Sequence, residues 1–390
     1  MTTKPFNIHV SDEVLIDLKA RLNHVRWPSQ VKNLLWDRGT NLEYLQALVS
    51  YWRDNFDWRI QETELNKMNH YKSVIDGVNI HFVYERGKGP NPLPIILTHG
   101  WPDSFIRYKK IIPLLTDPVH HNAGAEDSFD VIVPSIPGFG FSSLSEHRAL
   151  NNHLVSILWA KLMTEELGYK KFVAGGGDMG SGITRYLSIN HPELLYGIHL
   201  TDIGIIRPLL TSQNLSVLTK EELEYRNNVQ DWIAKEGAYL SIQSTKPQTI
   251  AYGLSDSPVG LAGWIIEKFR DWSDCDGDLQ TRFTFDELLT NIMIYWISNT
   301  IGSAAHVYYE NTHSLPPLNQ RIETPTGIAL LASDILKPPK VWAEKQFNIT
   351  RWTNLPRGGH FTAMEEPELI AEEIRAFCRP FREKGTHIIT

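Results

Sequence analysis

Three short stretches of this chain carry residue types capable of covalent chemistry. The first is Val173-Ala-Gly-Gly-Gly-Asp-Met-Gly-Ser-Gly-Ile183, in which Gly176-Gly177-Asp178-Met179-Gly180 fits the pattern small-x-nucleophile-x-small. A β-rich run at 171–174 precedes it and a helix-length run at 181–190 follows. This is the strand-turn-helix setting in which a nucleophile sits on a strained turn, with small neighbours letting strand and helix approach closely. The central residue is an aspartate. A serine there makes an acyl-enzyme and needs a histidine to take its proton. A carboxylate is already a nucleophile; it attacks an sp³ carbon and forms an alkyl ester of itself. The same glycines also allow a bland tight turn, or G-x-G-x-x-G over Gly175, Gly177 and Gly180. Dinucleotide sites favour the first strand of a sheet, however, and this is about the fifth.

The second stretch, His99-Gly100-Trp101-Pro102, closes the apolar run 94–97. In folds that mount a nucleophile on such a turn, the loop after this strand supplies one oxyanion-hole N–H and the residue after the nucleophile supplies the other. Trp101 and Met179 are the expected donors, each of a kind that contributes roughly 10²- to 10³-fold in rate. The third stretch is Arg357-Gly-Gly-His-Phe361, whose His360 follows the last β-rich run. The chain order nucleophile, acid, histidine then asks for a carboxylate after a late strand. Asp334, behind the run 326–331, meets that requirement, with Asp202 behind GIHLT as the alternative; Asp286 and Glu310 fall in a helical stretch and are expected to be solvated. A carboxylate nucleophile needs a tolerable leaving group. Halide asks for indole N–H donors, whereas the oxygen of a strained epoxide asks for a proton donor such as a tyrosine hydroxyl. Tyr239 and Tyr308 lie between nucleophile and acid, but among fourteen tyrosines position alone does not single them out.

These stretches need a sheet to hold them. Up to about residue 70 the periodicity is helical, as in Val14, Leu15, Leu18 and Leu22 and again over 41–52, with no strand pattern. From about Tyr71, β-rich runs follow at intervals: YKSVIDG, VNIHFVYERG, PIILTHGW, DVIVPSIPG, KFVAGGGD, GIHLTDI, TGIALLA and NITRWTNLP. Amphipathic segments such as 152–167 and 366–377 separate most of them, so a mainly parallel α/β sheet is expected. Over 205–321 the alternation stops, and helical runs at 220–233, 258–269 and 285–301 predict a helical cap rich in Trp, Tyr and Phe. The expected organisation is therefore an α/β-hydrolase fold: an N-terminal extension (1–70), a core in two parts (71–204 and 322–390) and the cap between them.

Composition sets the outer limits. The formal net charge of −7, from 45 acidic and 38 basic residues with no block of either sign, argues against a nucleic-acid partner. Cys275 and Cys378 make no disulfide framework and have no metal-ligand spacing, and the hydrolytic chemistry read above asks for neither a metal nor an organic cofactor. The start, MTTKPFNIHV, has no signal-peptide core, and no stretch reaches the roughly 18 to 20 apolar residues of a membrane span. A soluble, cytoplasmic protein is expected, with a homo-oligomer compatible but unspecified.

The chain resembles the microsomal-type epoxide hydrolases, the group that includes juvenile hormone epoxide hydrolases. FNIHVSDEVLIDLKARLNHVRWP, HGWP, GGGDMGS, YLSIQSTKPQTIAYGLSDSPVGLAGWIIEKF, HVYYENT and RGGHFTAMEEPEL carry that likeness over nearly the whole length. The resemblance implies hydrolysis of an apolar or aromatic epoxide to a vicinal diol, with Asp178 as nucleophile, Asp334 as acid and His360 as base. It makes Tyr239 and Tyr308 the donors to the epoxide oxygen; Tyr309 is adjacent, and a slip of one residue would give it the role. Animal microsomal members carry a membrane anchor, whereas this chain begins directly at the N-terminal domain and so resembles the soluble microbial members; its acid is Asp334 where the animal microsomal enzymes have a glutamate. A haloalkane dehalogenase and a non-catalytic binding protein of the same fold are the alternatives. Trp101, Trp264 and Phe139 are plausible pocket walls.

Overall fold

The computed structural model describes residues 3–29, 31, 35–144, 150–204 and 217–383. The chain opens with β1 (Lys4–Pro5), α1 (Asp12–Asn23), α2 (Leu42–Asp54) and α3 (Trp58–Leu65), then β2 (His70–Ile75) and β3 (Val78–Glu85). Next come β4 (Leu93–Thr98), α4 (Ile111–Thr116), β5 (Phe129–Pro134), α5 (Asn152–Lys161), β6 (Phe172–Gly176), α6 (Met179–Asn190) and β7 (Leu195–Leu200). A run of helices follows: α7 (Lys220–Glu236), α8 (Ala238–Thr245), α9 (Pro247–Asp256), α10 (Pro258–Trp272), α11 (Phe285–Ser298) and α12 (Ile301–His313). The chain returns through β8 (Ile322–Leu330), α13 (Lys340–Gln346), β9 (Phe347–Asn354), α14 (Thr362–Glu365) and α15 (Pro367–Glu383).

The strands form one nine-stranded sheet in the order β1-β2-β3-β5-β4-β6-β7-β8-β9. Pairing is antiparallel from β1 to β5 across the first end and parallel through the rest. The central strands read as near-continuous apolar runs because helices cover both faces, and Ile95, Ile96, Val131, Ile132, Phe172 and Val173 are fully buried. All eight β-rich runs form strands. The expectation of no strand before residue 70 needs correction: Lys4 and Pro5 pair with Lys72 and Tyr71. Two residues, one a proline at an edge, carry no periodicity from which a strand can be read.

Register decides where the loops emerge. Thr98 pairs with Gly176, Gly176 with Leu200, Leu200 with Ile328, and Leu330 with Asn354. Parallel strands in this register release the His99, Gly177, Thr201, Leu331 and Leu355 loops along one edge, at the carboxyl ends. Beside β4 and β6, where the strand order reverses, such a sheet makes its ligand crevice.

Between 217 and 321 the described residues contain helices and no strand; the start of the expected cap, 205–216, lies outside them. Polar residues start these helices locally. In α7 and α11, Thr219 and Thr284 accept the N–H of Glu222 and Glu287, whose carboxylates reach back to the threonine N–H groups. The N-terminal helices lie against this layer: Thr40 Oγ1 donates to the Gly263 carbonyl at 2.6 Å and Tyr51 to Asp286 at 3.0 Å. The latter bond corrects the expectation that Asp286 is simply solvated.

Candidate active site

Asp178 sits between β6 and α6 with φ 54° and ψ −125°, a backbone conformation that costs a non-glycine residue about 1–3 kcal/mol. The turn is possible because its neighbours are small. A Cβ on Gly180 would lie 2.0 Å from the Thr98 carbonyl oxygen, and one on Gly100 would lie 2.4 Å from the Asp178 Cβ. Glycine at both places lets β4 and the HGWP loop close against the nucleophile turn. There the Trp101 N–H donates to Asp178 Oδ1 at 2.9 Å, and the Met179 N–H also bonds the carboxylate.

The HGWP loop is itself held. His99 is buried, with Nε2 accepting the Ile136 N–H at 3.1 Å. The Trp101–Pro102 peptide is cis, and the Pro102 carbonyl accepts from Asn291 on α11 at 2.7 Å. Asp103 Oδ1 accepts the Gly100 N–H at 2.8 Å, while its other oxygen pairs with the buried Arg107. Arg107 also donates to the His360 carbonyl, so one guanidinium ties the HGWP loop to the histidine loop.

His360 lies between two carboxylates. Its Nδ1 is 3.0 Å from Asp334 Oδ1 and its Nε2 is 3.6 Å from Asp178 Oδ2. Asp202 is engaged elsewhere: it accepts the Asp178 N–H, bracing the strained turn, and the Gly204 N–H at 2.8 Å. Burial disfavours the imidazolium, but Asp178 and Asp334 outweigh it and push the His360 pKa up to about 10. Burial likewise penalises the Asp178 carboxylate, yet His360 and the two N–H donors hold its pKa below the ordinary value. Burial and the charges of Asp334 and Asp178 push Asp202 up to about 6.

Two tyrosines reach this charge pair from the helical layer. Tyr239 on α8 stacks on the Trp101 ring at 5.1 Å and 6°, and Tyr308 on α12 meets Trp101 edge-on at 5.8 Å. The two rings meet edge-on at 6.0 Å, and each phenol acts on the other's ionisation. Burial first, then the Asp178 charge, raises both phenols above their ordinary pKa, so both keep their protons at neutral pH. Tyr309, by contrast, is exposed and stacks on His313 at 4.1 Å, so of the two neighbours the fold brings Tyr308 inward. Trp272 at the end of α10 completes the cluster, 5.3 Å from the His360 ring and 5.2 Å from Tyr239. Phe139 stands behind His99 at 5.3 Å, while Trp264 is half-buried and makes none of these ring contacts. The Glu310 carboxylate accepts from the Ser314 hydroxyl at 3.1 Å and is not part of the cluster.

Sequence reasoning missed Arg107, the bracing role of Asp202, and Trp272. Each acts through backbone groups or ring faces of distant segments, for which spacing gives no signal. Only the HGWPDSFIR run, with Asp103 and Arg107 at i and i+4 on one face of a turn, hinted at an ion pair.

Among the described residues, no helix is long and apolar enough to cross a membrane. Residues 3–108 match the family described as epoxide hydrolase N terminus, and residues 94–238 match the α/β hydrolase fold. The chain is 38% identical to epoxide hydrolase 1 of Sus scrofa, over 96% of this chain and 88% of that protein. It is 36% identical to juvenile hormone epoxide hydrolase 2 of Ctenocephalides felis, over 97% and 86% of the two chains. The crystal structure of juvenile hormone epoxide hydrolase from Bombyx mori superposes with a TM-score of 0.89 at 29% identity, covering 98% of this chain and 95% of that one. With the fold, the aspartate turn and relatives of this length and identity in agreement, the chain belongs to the epoxide hydrolase family of the α/β-hydrolase fold.

Proposed function

We propose that this protein hydrolyses an apolar or aromatic epoxide to a vicinal diol through an ester on Asp178. The observation that carries the reading is one ionised Asp178 carboxylate, oriented by the Trp101 N–H, whose charge acts on two buried tyrosines, Tyr239 and Tyr308, both packed on the Trp101 ring. Asp178 Oδ1 is occupied by the Trp101 N–H, so Oδ2 attacks a ring carbon. The C–O bond breaks, and its electrons go to the ring oxygen, which takes a proton from the tyrosine pair. General acid assistance of this kind typically contributes roughly 10²- to 10⁴-fold.

Alkylation neutralises Asp178 and thereby removes one of the two charges that hold His360 protonated. The imidazolium gives its proton to the tyrosinate, and neutral His360, oriented by Asp334, becomes a base. It takes a proton from water as the oxygen attacks Asp178 Cγ. The developing oxyanion is Oδ1, which already accepts the Trp101 N–H, and the Met179 N–H acts on the same carboxylate. Collapse breaks the Cγ–Oδ2 bond, the departing alkoxide takes the proton from His360, and the re-formed carboxylic acid returns its proton to the imidazole. The resting charges are restored with one water consumed. Trp101, Tyr239, Trp272 and Tyr308 suit an apolar or aromatic substituent on the ring carbons. The Trp101 and Trp272 indole N–H groups are buried without a partner, as halide binding would require, but the tyrosine pair favours an oxygen leaving group.

The test is His360→Ala with a styrene-type epoxide under single-turnover conditions. Asp178 should still be alkylated, seen as a mass increase on the protein, while release of diol slows by roughly 10²- to 10⁴-fold. Diol release at the unsubstituted rate would remove His360 from the scheme.

A further inference from the structure

The segment that ends α10, from Trp272 to Asp274, presses on both loops that carry the hydrolytic pair. The His360 N–H donates to the Trp272 carbonyl at 2.7 Å. A Cβ on Gly359 would lie 2.6 Å from that same carbonyl oxygen and 2.7 Å from the Asp274 nitrogen, so the histidine loop and this segment touch backbone to backbone. Asp274 spans the two loops. Its Oδ2 accepts the Gly358 N–H at 2.8 Å, two residues before His360. Its Oδ1 accepts the Ser333 hydroxyl at 2.7 Å, one residue before Asp334. The Asp274 N–H in turn donates to Glu365 at 2.8 Å, and Glu365 also accepts the N–H groups of Gly359 and Phe361, on either side of the histidine. Arg282 Nη2 pairs with Asp274 at 2.8 Å.

We propose that Asp274 is a positioning residue for the second half-reaction: by bonding Gly358 and Ser333 at once, it fixes the spacing of the His360 and Asp334 loops and links that spacing to the helical layer. The inference rests on the assignment of His360 and Asp334 to ester hydrolysis. Alkylation needs the Asp178 carboxylate and the tyrosine hydroxyls, none of which Asp274 touches. Hydrolysis needs the imidazole aligned between acid and water, and misplacing a base by about 1 Å costs up to about 10²-fold. The effect of losing Asp274 therefore falls on one half-reaction.

The experiment compares the two half-reactions of the full-length protein with a styrene-type epoxide, reading alkyl-enzyme by intact-protein mass and diol by chromatography. Asp274→Ala should alkylate within about threefold of the unsubstituted rate and hydrolyse its ester roughly 10- to 100-fold more slowly, so ester accumulates. Normal alkylation also shows that the variant is folded. Asp274→Asn keeps an oxygen for the Gly358 N–H and a group for Ser333, and should restore most of the hydrolysis rate. Ser333→Ala removes one of the two bonds and should slow hydrolysis in the same direction by a smaller factor, which decides the matter if Asp274→Ala does not fold. Equal slowing of both half-reactions, or hydrolysis unchanged in Asp274→Ala and Ser333→Ala, would overturn the positioning role. His360→Ala, run alongside, separates the two levels: if it hydrolyses its ester normally, the assignment of the base falls and the positioning role with it. If it traps the ester while Asp274→Ala does not, the positioning role alone falls.

Discussion

Asp178→Ala is expected to abolish alkylation, leave no covalent adduct, and lower turnover by roughly 10⁴- to 10⁶-fold, the scale on which removing a covalent nucleophile acts. The reason is local. The Trp101 and Met179 N–H groups, His360 and the turn at φ 54° all serve one carboxylate, and alanine gives none of them a reacting atom. Bound water would have to attack the epoxide unaided. The fold should survive, because alanine removes a partly buried charge without adding volume and the Asp202 bond to the backbone N–H at 178 remains. Alanine keeps the cost of the positive φ, so melting temperature should move by only a few degrees, which a thermal scan checks. Activity within tenfold of the unsubstituted protein would place the nucleophile elsewhere.

The double substitution Tyr239→Phe with Tyr308→Phe is expected to lower the alkylation rate by roughly 10⁴-fold or more, with each single change costing roughly 10- to 100-fold. Phenylalanine keeps the ring, so the stacking of position 239 on Trp101 and the edge contact of position 308 persist; only the hydroxyls go. A single variant retains one donor to the ring oxygen. In the double variant the oxygen departs as a bare alkoxide in a buried site, where an unsolvated charge is costly. Burst kinetics should show slow ester formation and, once ester forms, a nearly normal hydrolysis rate. A double variant that alkylates normally would remove the tyrosines from the chemistry.

The parts of this site differ in how far the residues alone reveal them. Asp178, Asp334 and His360 each occupy an address that the sheet defines, the loop after a strand, and the strands declare themselves through β-rich runs. Trp101 and Met179 are legible for the same reason, since their donors are backbone N–H groups whose placement depends on the turn and not on the side chain. Tyr239 and Tyr308 are not: they come from helices in a layer with no such addresses, and only the likeness to a known family picked them out of fourteen. Nor could sequence decide between Tyr308 and Tyr309. Helical rotation does, turning one toward Trp101 and the other toward solvent. Arg107, Asp202, Asp274 and Glu365 stay hidden because they bond backbone groups far away in the chain, and a carboxylate that accepts an N–H across 84 positions leaves no local pattern. In the fold, β1 was missed because two residues carry no periodicity.

A single turnover in ¹⁸O-water, with enzyme in excess over epoxide, tests most directly the claim that Asp178 forms an ester. The diol released in that first turnover should carry unlabelled oxygen taken from Asp178, and the label should appear in the aspartate carboxylate. A fully labelled diol in the first turnover would mean that water attacked the epoxide directly, and would contradict the ester.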